Sequence, residues 1–454
     1  MGYMSRLPFP AASISLFTVL CVGTLAFAQK EDTPPDKVQY LSIQGLPDWM
    51  SMDWELRGRT EADTATQYQA GNFQMYELTR VRGGLAVRPK KWFSAYAQFH
   101  DLHALNLPVA DALPNMRDTF DLRQAYFTLH SSTILLMPGR QELRFGEERL
   151  IGISDWTNDS RTFDVIHARL GSPENRLDLF SGSVVRILPT SFDRPTGGFY
   201  LHGAYATLTT LVPHMRLEPF VLLKTSPVKS LQDESGREVL VAPGIRVAGH
   251  LPAGFDYDVQ GTLERGSYVN DTIHAGAGYV LAGYTAKWIP WSPHLEPEYD
   301  YATGNPHRNP LRVSTFDQFY PSNHNVFGLT DLFGWENIKQ RRLNLDLRPN
   351  KSWNLVFQGE SLHAATPMDN IVNGSADVLA APPAGGFRSD DIGSEFDASL
   401  GHASRYHLLF NAGVGHFWPG ALMAANNHGA PITLTYFQIT YLMRWSQKGA
   451  PGSP

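Results

Sequence analysis

The sequence predicts an all-β chain that crosses a membrane as an antiparallel up-and-down β-barrel of about 18 strands, with 16 as the alternative count. Three observations carry this expectation. Apolar and polar residues alternate with a period of two from Trp54 to Trp445, and no helical-period segment intervenes to cover the apolar faces. The connections between these segments alternate in length, short and then long. Composition agrees: of 454 residues only 18% are charged, below the usual quarter, and 12% are aromatic. Mean hydropathy is slightly negative, which excludes a bundle of membrane helices. A barrel in which every second residue is polar hides its span from such an average.

The N-terminus reads as a signal peptide, residues 1–28. Arg6 supplies a positive charge, Ile14 to Phe27 form an apolar core, and Ala26-Phe27-Ala28 is a small-x-small cleavage site before Gln29. A retained anchor is the rival reading, but the run is short for a spanning helix of about 20 residues. The only cysteine, Cys21, lies inside this segment. Thr-Val-Leu before it does not fit a lipidation site. The mature chain therefore relies on backbone pairing and packing, not disulfides. Residues 29–50, with Pro34, Pro35 and Pro47, read as a periplasmic arm. The barrel is expected over 51–445, and 446–454 as a C-terminal tail. Trp445 then serves as an internal assembly signal, or the tail is a tolerated extension of a terminal one.

The strands declare their faces. Val81, Leu85 and Val87 oppose Arg80, Arg82 and Arg88; Phe93, Ala95, Ala97 and Phe99 oppose Ser94, Tyr96, Gln98 and His100. Leu343, Leu345 and Leu347 oppose Arg342, Asn344, Asp346 and Arg348, and Phe437, Ile439 and Tyr441 oppose Gln438 and Thr440. A soluble sheet with one wet face would alternate too, but this pattern continues for most of the chain. Short turns such as Arg88-Pro-Lys-Lys and Arg348-Pro-Asn-Lys are expected on the periplasmic side. Longer polar connections near 61–75, 101–119, 142–161, 188–198, 226–238, 305–337, 364–394 and 418–433 are expected outside. An even strand count puts both ends on the periplasmic side. The sheet must close, because an unpaired edge cannot sit in lipid. The strand near 57 should therefore pair with the one near 439. Trp54, Trp92, Trp288, Trp291, Trp353, Trp418 and Trp445 fall at strand ends as girdle candidates.

With apolar faces toward lipid, the polar faces line the lumen. Arg57, Arg59, Arg80, Arg82, Arg88, Arg123 and Arg140 form a basic arc, with Glu55, Asp121 and Glu142 among them. Asp256, Asp258 and Glu264, then Glu296, Glu298 and Asp300, form an acidic wall opposite. Two readings stand together: the arginines pair with acids across the barrel, or they conduct carboxylated sugars. A guanidinium is permanently charged and grips a carboxylate in a planar fork.

Three stretches add a resemblance: GRQELRFGEERLIGISDWTNDSRTFDVIHARL at 139–170, STFDQFYPSNHNVFGLTDLFGWENI at 314–338 and LRQAYFTL at 122–129. In this order they resemble the alginate-export family of outer-membrane barrels. The resemblance implies a Gram-negative outer-membrane location, barrel assembly machinery and periplasmic secretion partners, and a polyuronate cargo passed along arginines. Residue by residue it reaches Arg80, Arg82, Arg123, Arg140 and Arg161. The acidic wall departs from a purely polyanion-conducting pore. It keeps a general or small-solute porin with a transverse field as an alternative, beside an adhesion barrel that acts through its loops.

An enzyme is not expected. No serine stands in a nucleophile motif. His100, Asp101 and His103 read as structural groups, and Glu147 and Glu148 as a solvated charge run rather than a glycosidase pair. No nucleic-acid partner, metal or cofactor is expected beyond weak loop-bound calcium: Asp155, Asn158 and Asp159 lack calcium-loop spacing.

Overall fold

Eighteen antiparallel strands close into one barrel in the computed structural model. It describes residues 46–109, 111–231, 234–306, 311–404 and 407–446. The signal peptide, most of the arm and the tail after Ser446 lie outside the described residues. The strands are β1 (Met50–Thr64), β2 (Phe73–Lys90), β3 (Phe93–Leu105), β4 (Asp118–His130), β5 (Ile134–Gln141) and β6 (Phe163–Gly171). Next come β7 (Asn175–Arg186), β8 (Tyr200–Leu208), β9 (Met215–Leu231), β10 (Glu234–His250), β11 (Phe255–Tyr268) and β12 (Asp271–Thr285). The last are β13 (His294–Ala302), β14 (Ile338–Asn350), β15 (Trp353–Ala364), β16 (Asp391–Ala403), β17 (Leu408–Pro419) and β18 (Ile432–Ser446). The expected strands near 57 and 439 are β1 and β18.

Each strand pairs with its sequence neighbours, and β1 closes on β18 with Arg57 opposite Thr440 and Gly58 opposite Ile439. Closure satisfies every edge, as a lipid environment demands. Among the described residues no helix is long and apolar enough to cross a membrane. The faces separate as the alternation requires. Val81, Leu85, Phe99, Ile245, Leu343 and Phe437 are exposed outward, while Arg80, Arg82, Gln98, Arg246, Arg342 and Gln438 are buried inside. Of the girdle candidates, Trp92, Trp288, Trp291, Trp353 and Trp418 are exposed; Trp54 and Trp445 are half-buried and pack at 6.3 Å across the closing seam.

One connection differs from expectation. Residues 226–238 were expected as an outer loop, but β9 runs through them to Leu231 and β10 starts at Glu234. Beyond the bilayer a strand needs no apolar face, so its polarity there imitates a loop. Among the other connections, 142–162 and 303–337 matter most. They turn inward and bring Leu143, Leu150, Ile151, Phe316, Phe327 and Trp335 into a buried cluster with inward residues of the strands.

Candidate functional site

The basic wall begins with an electrostatic problem. β1 and β2 are in a register that sets Arg57 directly opposite Arg80, and Glu55 opposite Arg82. Like charges facing each other across a strand pair repel. The inward loop 142–162 resolves this with oxygen atoms. Arg57 donates to the carbonyls of Asp155 (2.9 Å) and Thr157 (3.0 Å). Arg59 donates to the Trp156 carbonyl at 2.6 Å and lies 3.7 Å over that indole. Arg80 forks onto both carboxylate oxygens of Asp155, at 3.1 and 3.2 Å. Arg82 reaches the same carboxylate at 3.1 Å and Ser160 at 2.6 Å. Arg123 donates to Ser160 at 2.9 Å and Glu142 at 2.5 Å. Two acids on the wall itself assist: Glu55 meets Arg80 at 2.5 Å, and Glu61 meets Arg59 at 2.6 Å.

All five arginines are less than 5% exposed. Burial alone would push the Asp155 carboxyl up, but Arg80, Arg82 and Arg57 hold it well below the usual range. Burial likewise acts on Glu142 at the loop's start, where Arg144 and Arg123 outweigh it and bring it to about 2.

The same loop crosses the lumen to the acidic wall. Arg149 pairs with both Glu298 and Asp300 and lies 3.9 Å over the Tyr279 ring. Glu147 accepts from Arg246 at 2.5 Å. The wall also supplies cations of its own. Arg246 pairs with Asp258 and with Glu218 (2.6 Å), and Arg342 pairs with Glu298. Asp256 meets His294 at 3.1 Å, and Glu296 accepts from Asn344 at 2.9 Å.

The second inward loop is pinned in the same way. Lys224 and Lys229 both pair with Asp317, and the Asp317 N–H donates to Glu264 at 3.0 Å. The two loops join through a short parallel contact. Tyr320 N–H donates to the Leu150 carbonyl, and Gly152 N–H to the Tyr320 carbonyl, both at 2.8 Å.

The structure thus brings together Arg57, Arg59, Arg80, Arg82 and Arg123, and on the other side Asp256, Asp258, Glu264, Glu296, Glu298 and Asp300. Two expected lumen residues fall elsewhere. Arg140 shares a face with Ile134 and Ile166, which are exposed outward, and pairs with Asp164 at 2.8 Å. Arg161 belongs to the loop, where it ties Gly152, Tyr320 and Pro321 carbonyls together at 2.7–3.0 Å.

Glu147 and Glu148 are not a solvated charge run. Glu147 binds Arg246, and Glu148, 5% exposed, accepts from Ser322 at 2.8 Å. Asp155, Asn158 and Asp159 diverge: the first faces Arg80, the second donates to Thr79 and Met116 carbonyls, and the third faces His100. Sequence reading missed Arg149, Arg246, Lys224 and Lys229 as partners of these walls. The inward parity of Arg246 could have shown it. Nothing in the sequence signals that Arg149 crosses the lumen.

An apolar belt around a closed barrel with a charged, polar interior defines an outer-membrane channel protein. The family described as alginate export matches residues 48–431, and the chain belongs to that family. Its place is the outer membrane of a Gram-negative cell. No curated protein matches the chain by sequence. Among solved structures it is similar to the outer membrane protein OpdK of Pseudomonas aeruginosa (TM-score 0.61, 11% identity, 87% of this chain and 99% of that one). It is also similar to OccAB4 of Acinetobacter baumannii (TM-score 0.61, 11% identity, 89% and 99%). A structure of OpdK with vanillate matches at TM-score 0.58 with 11% identity over 87% and 99%. At such identity these likenesses establish the fold alone.

Proposed function

We propose that this channel passes acidic saccharides, polyuronate chains included, along the basic wall, and that the loop 142–162 occupies the wall in the absence of cargo. The observation that carries this reading is the chemistry of what the arginines hold. Five guanidiniums bind two carboxylates, Asp155 and Glu142, one hydroxyl and several carbonyls of the loop. A uronate residue offers the same set, a carboxylate flanked by hydroxyl oxygens. Arginine presents planar paired donors to such groups without losing its charge. The expected partners are the outer-membrane lipid, the assembly machinery that inserts the barrel, and periplasmic secretion partners.

A small-solute porin is the second reading. The acidic wall favours it, since a polyanion gains nothing there, and OpdK has been solved with vanillate, itself a carboxylate. The test distinguishes the two. Arg80→Gln, Arg82→Gln and Arg123→Gln together keep polarity and remove three charges. In planar bilayers the reversal potential should shift toward cations, and uronate oligomers should block less. Both effects should shrink in high salt, because the Debye length falls from about 10 Å at 0.1 M to about 3 Å at 1 M. Unchanged selectivity would make these arginines structural groups. Block by monomeric carboxylates but not by oligomers would favour the porin.

A further inference from the structure

Above the basic wall, where β3 and β4 approach their outer ends, the pairing is irregular. The register slips between Gln98 and Phe99 and again between His100 and Leu102. Phe120 adopts a left-handed φ of 37°, an unusual conformation for a bulky residue, with its ring stacked outside on Phe99. Bulges re-aim side chains. Here Asp118 and Asp121, three apart and so of opposite parity, are both buried.

Asp118 meets His100 Nε2 at 2.9 Å through one oxygen. On the other side of the ring, His100 Nδ1 stands 3.5 Å from Asp159 of the inward loop. His100, Asp118 and Asp159 are 3%, 1% and 3% exposed. Two buried atoms have no hydrogen-bond partner: Asp118 Oδ1 and His100 Nδ1. A buried polar atom left without a partner is costly to the fold.

The surrounding charge deepens the problem. Asp121 and Asp193 have ligand atoms within 4.8 Å of Asp118, so four carboxylates gather around one imidazole. The nearest arginines are engaged elsewhere, Arg82 with Asp155 and Ser160, Arg123 with Glu142 and Ser160. A bridging imidazolium would supply one positive charge and still leave Asp118 Oδ1 without a partner.

We propose that His100, Asp118 and Asp159 bind a divalent first-row transition cation, of which Zn2+ is the probe. Their ligand atoms lie within 4.8 Å of one another, and a cation with bonds of about 2.0–2.2 Å would draw that set together. One imidazole with carboxylates suits Zn2+ or Mn2+ better than Ca2+ or Mg2+, which prefer oxygen alone. The site fastens loop to wall: two ligands come from β3 and β4, and the third is the loop residue whose N–H already donates to the Asn115 carbonyl at 2.9 Å. Binding does not depend on what the channel conducts.

The test is calorimetric titration of ZnCl2 into the full barrel in detergent, with closure checked by heat-modifiable migration on a gel. Wild type should bind one Zn2+. His100→Ala and Asp159→Asn should each weaken binding by more than about 100-fold, since losing even an outer partner costs about 10–100-fold. Asp121→Asn should bind nearly as wild type does. Co2+ gives a reading on wild type alone, free of any folding defect in a variant: visible d–d bands of a site with an imidazole ligand are expected. Three results would overturn the proposal. They are unchanged Zn2+ affinity in His100→Ala, loss in Asp121→Asn but not in His100→Ala, and wild-type protein that takes Ca2+ more tightly than Zn2+.

Discussion

The basic wall of β1–β4 and the acidic wall of β9–β13 meet the same loop, yet they are neutralised differently. On the basic wall the loop supplies most of the partners: backbone carbonyls, the Ser160 hydroxyl and two carboxylates, Asp155 and Glu142. On the acidic wall the cations come largely from the strands themselves. Arg246 serves Asp258 and Glu218, and Arg342 serves Glu298, while Lys224 and Lys229 of the strands hold Asp317 of the second inward loop. Asp300, and Glu298 in part, draw on the loop through Arg149. The two walls therefore differ in what they would present to a passing ligand. If the loop moves, the basic wall keeps the acceptors on its own strands, Glu55, Glu61 and Gln98, and offers the remaining donors to an anion. The acidic wall stays largely paired and offers little to a cation.

The comparison predicts an asymmetry in stability. Arg149→Met strands buried Asp300 and half of the partners of Glu298, and should cost about 3–5 kcal/mol. Asp155→Asn keeps an oxygen acceptor toward Arg80 and leaves the carbonyl bonds in place, and should cost only about 1–3 kcal/mol. Urea titration of the barrel folded in lipid vesicles measures both. A larger loss for Asp155→Asn would mean that the basic wall rests on one carboxylate, and the contrast between the walls would fail.

A second pair of variants sharpens the division between lumen and lipid. Leu345 lies on the outward face of β14, and Asn344 is 1% exposed on the inward face beside Glu296. Leu345→Arg should cost about 2–4 kcal/mol near the bilayer midplane. Asn344→Arg gains an acidic neighbour in Glu296 and should fold in higher yield in vesicles. Equal yields would contradict the register of this strand.

The smallest effect concerns pH. Glu142 is lowered from an ordinary 4.5 to about 2, and Asp155 also lies below its ordinary range. A depressed carboxylate stabilises the folded state fully above its unfolded value, and that contribution is lost as pH falls through the folded one. The loop's hold on the basic wall should therefore be flat from pH 8 to pH 5 and weaken only below about 4.5. Stability measured across that range in vesicles checks it. A transition near neutrality would point to other groups.

The adhesion reading finds a weaker footing than it had in the sequence. Two of the long connections that would reach a surface, 142–162 and, in its described part, 313–337, are folded into the barrel.

Alternation with a period of two settled the barrel, its count of about 18 strands and the closing pair, because a strand at the lipid boundary must show an apolar residue at every second place. The same rule put Arg57, Arg59, Arg80, Arg82 and Arg123 on one inward arc, and Asp256, Asp258, Glu264, Glu296, Glu298 and Asp300 on another. It failed at Arg140, which sits beside Asp164 on the outer face. It also failed between 226 and 238, where β9 and β10 extend past the need for an apolar side. Parity could not see the bulges that turn both Asp118 and Asp121 inward. Only the tertiary structure decided where the loops go. Asp155 and Arg149 stand six residues apart in a polar stretch that reads as solvent-exposed. Each finds its opposite charge on a strand far away in sequence, because burying a charge is tolerable only with a partner, and the closed barrel brings both walls within reach of one loop.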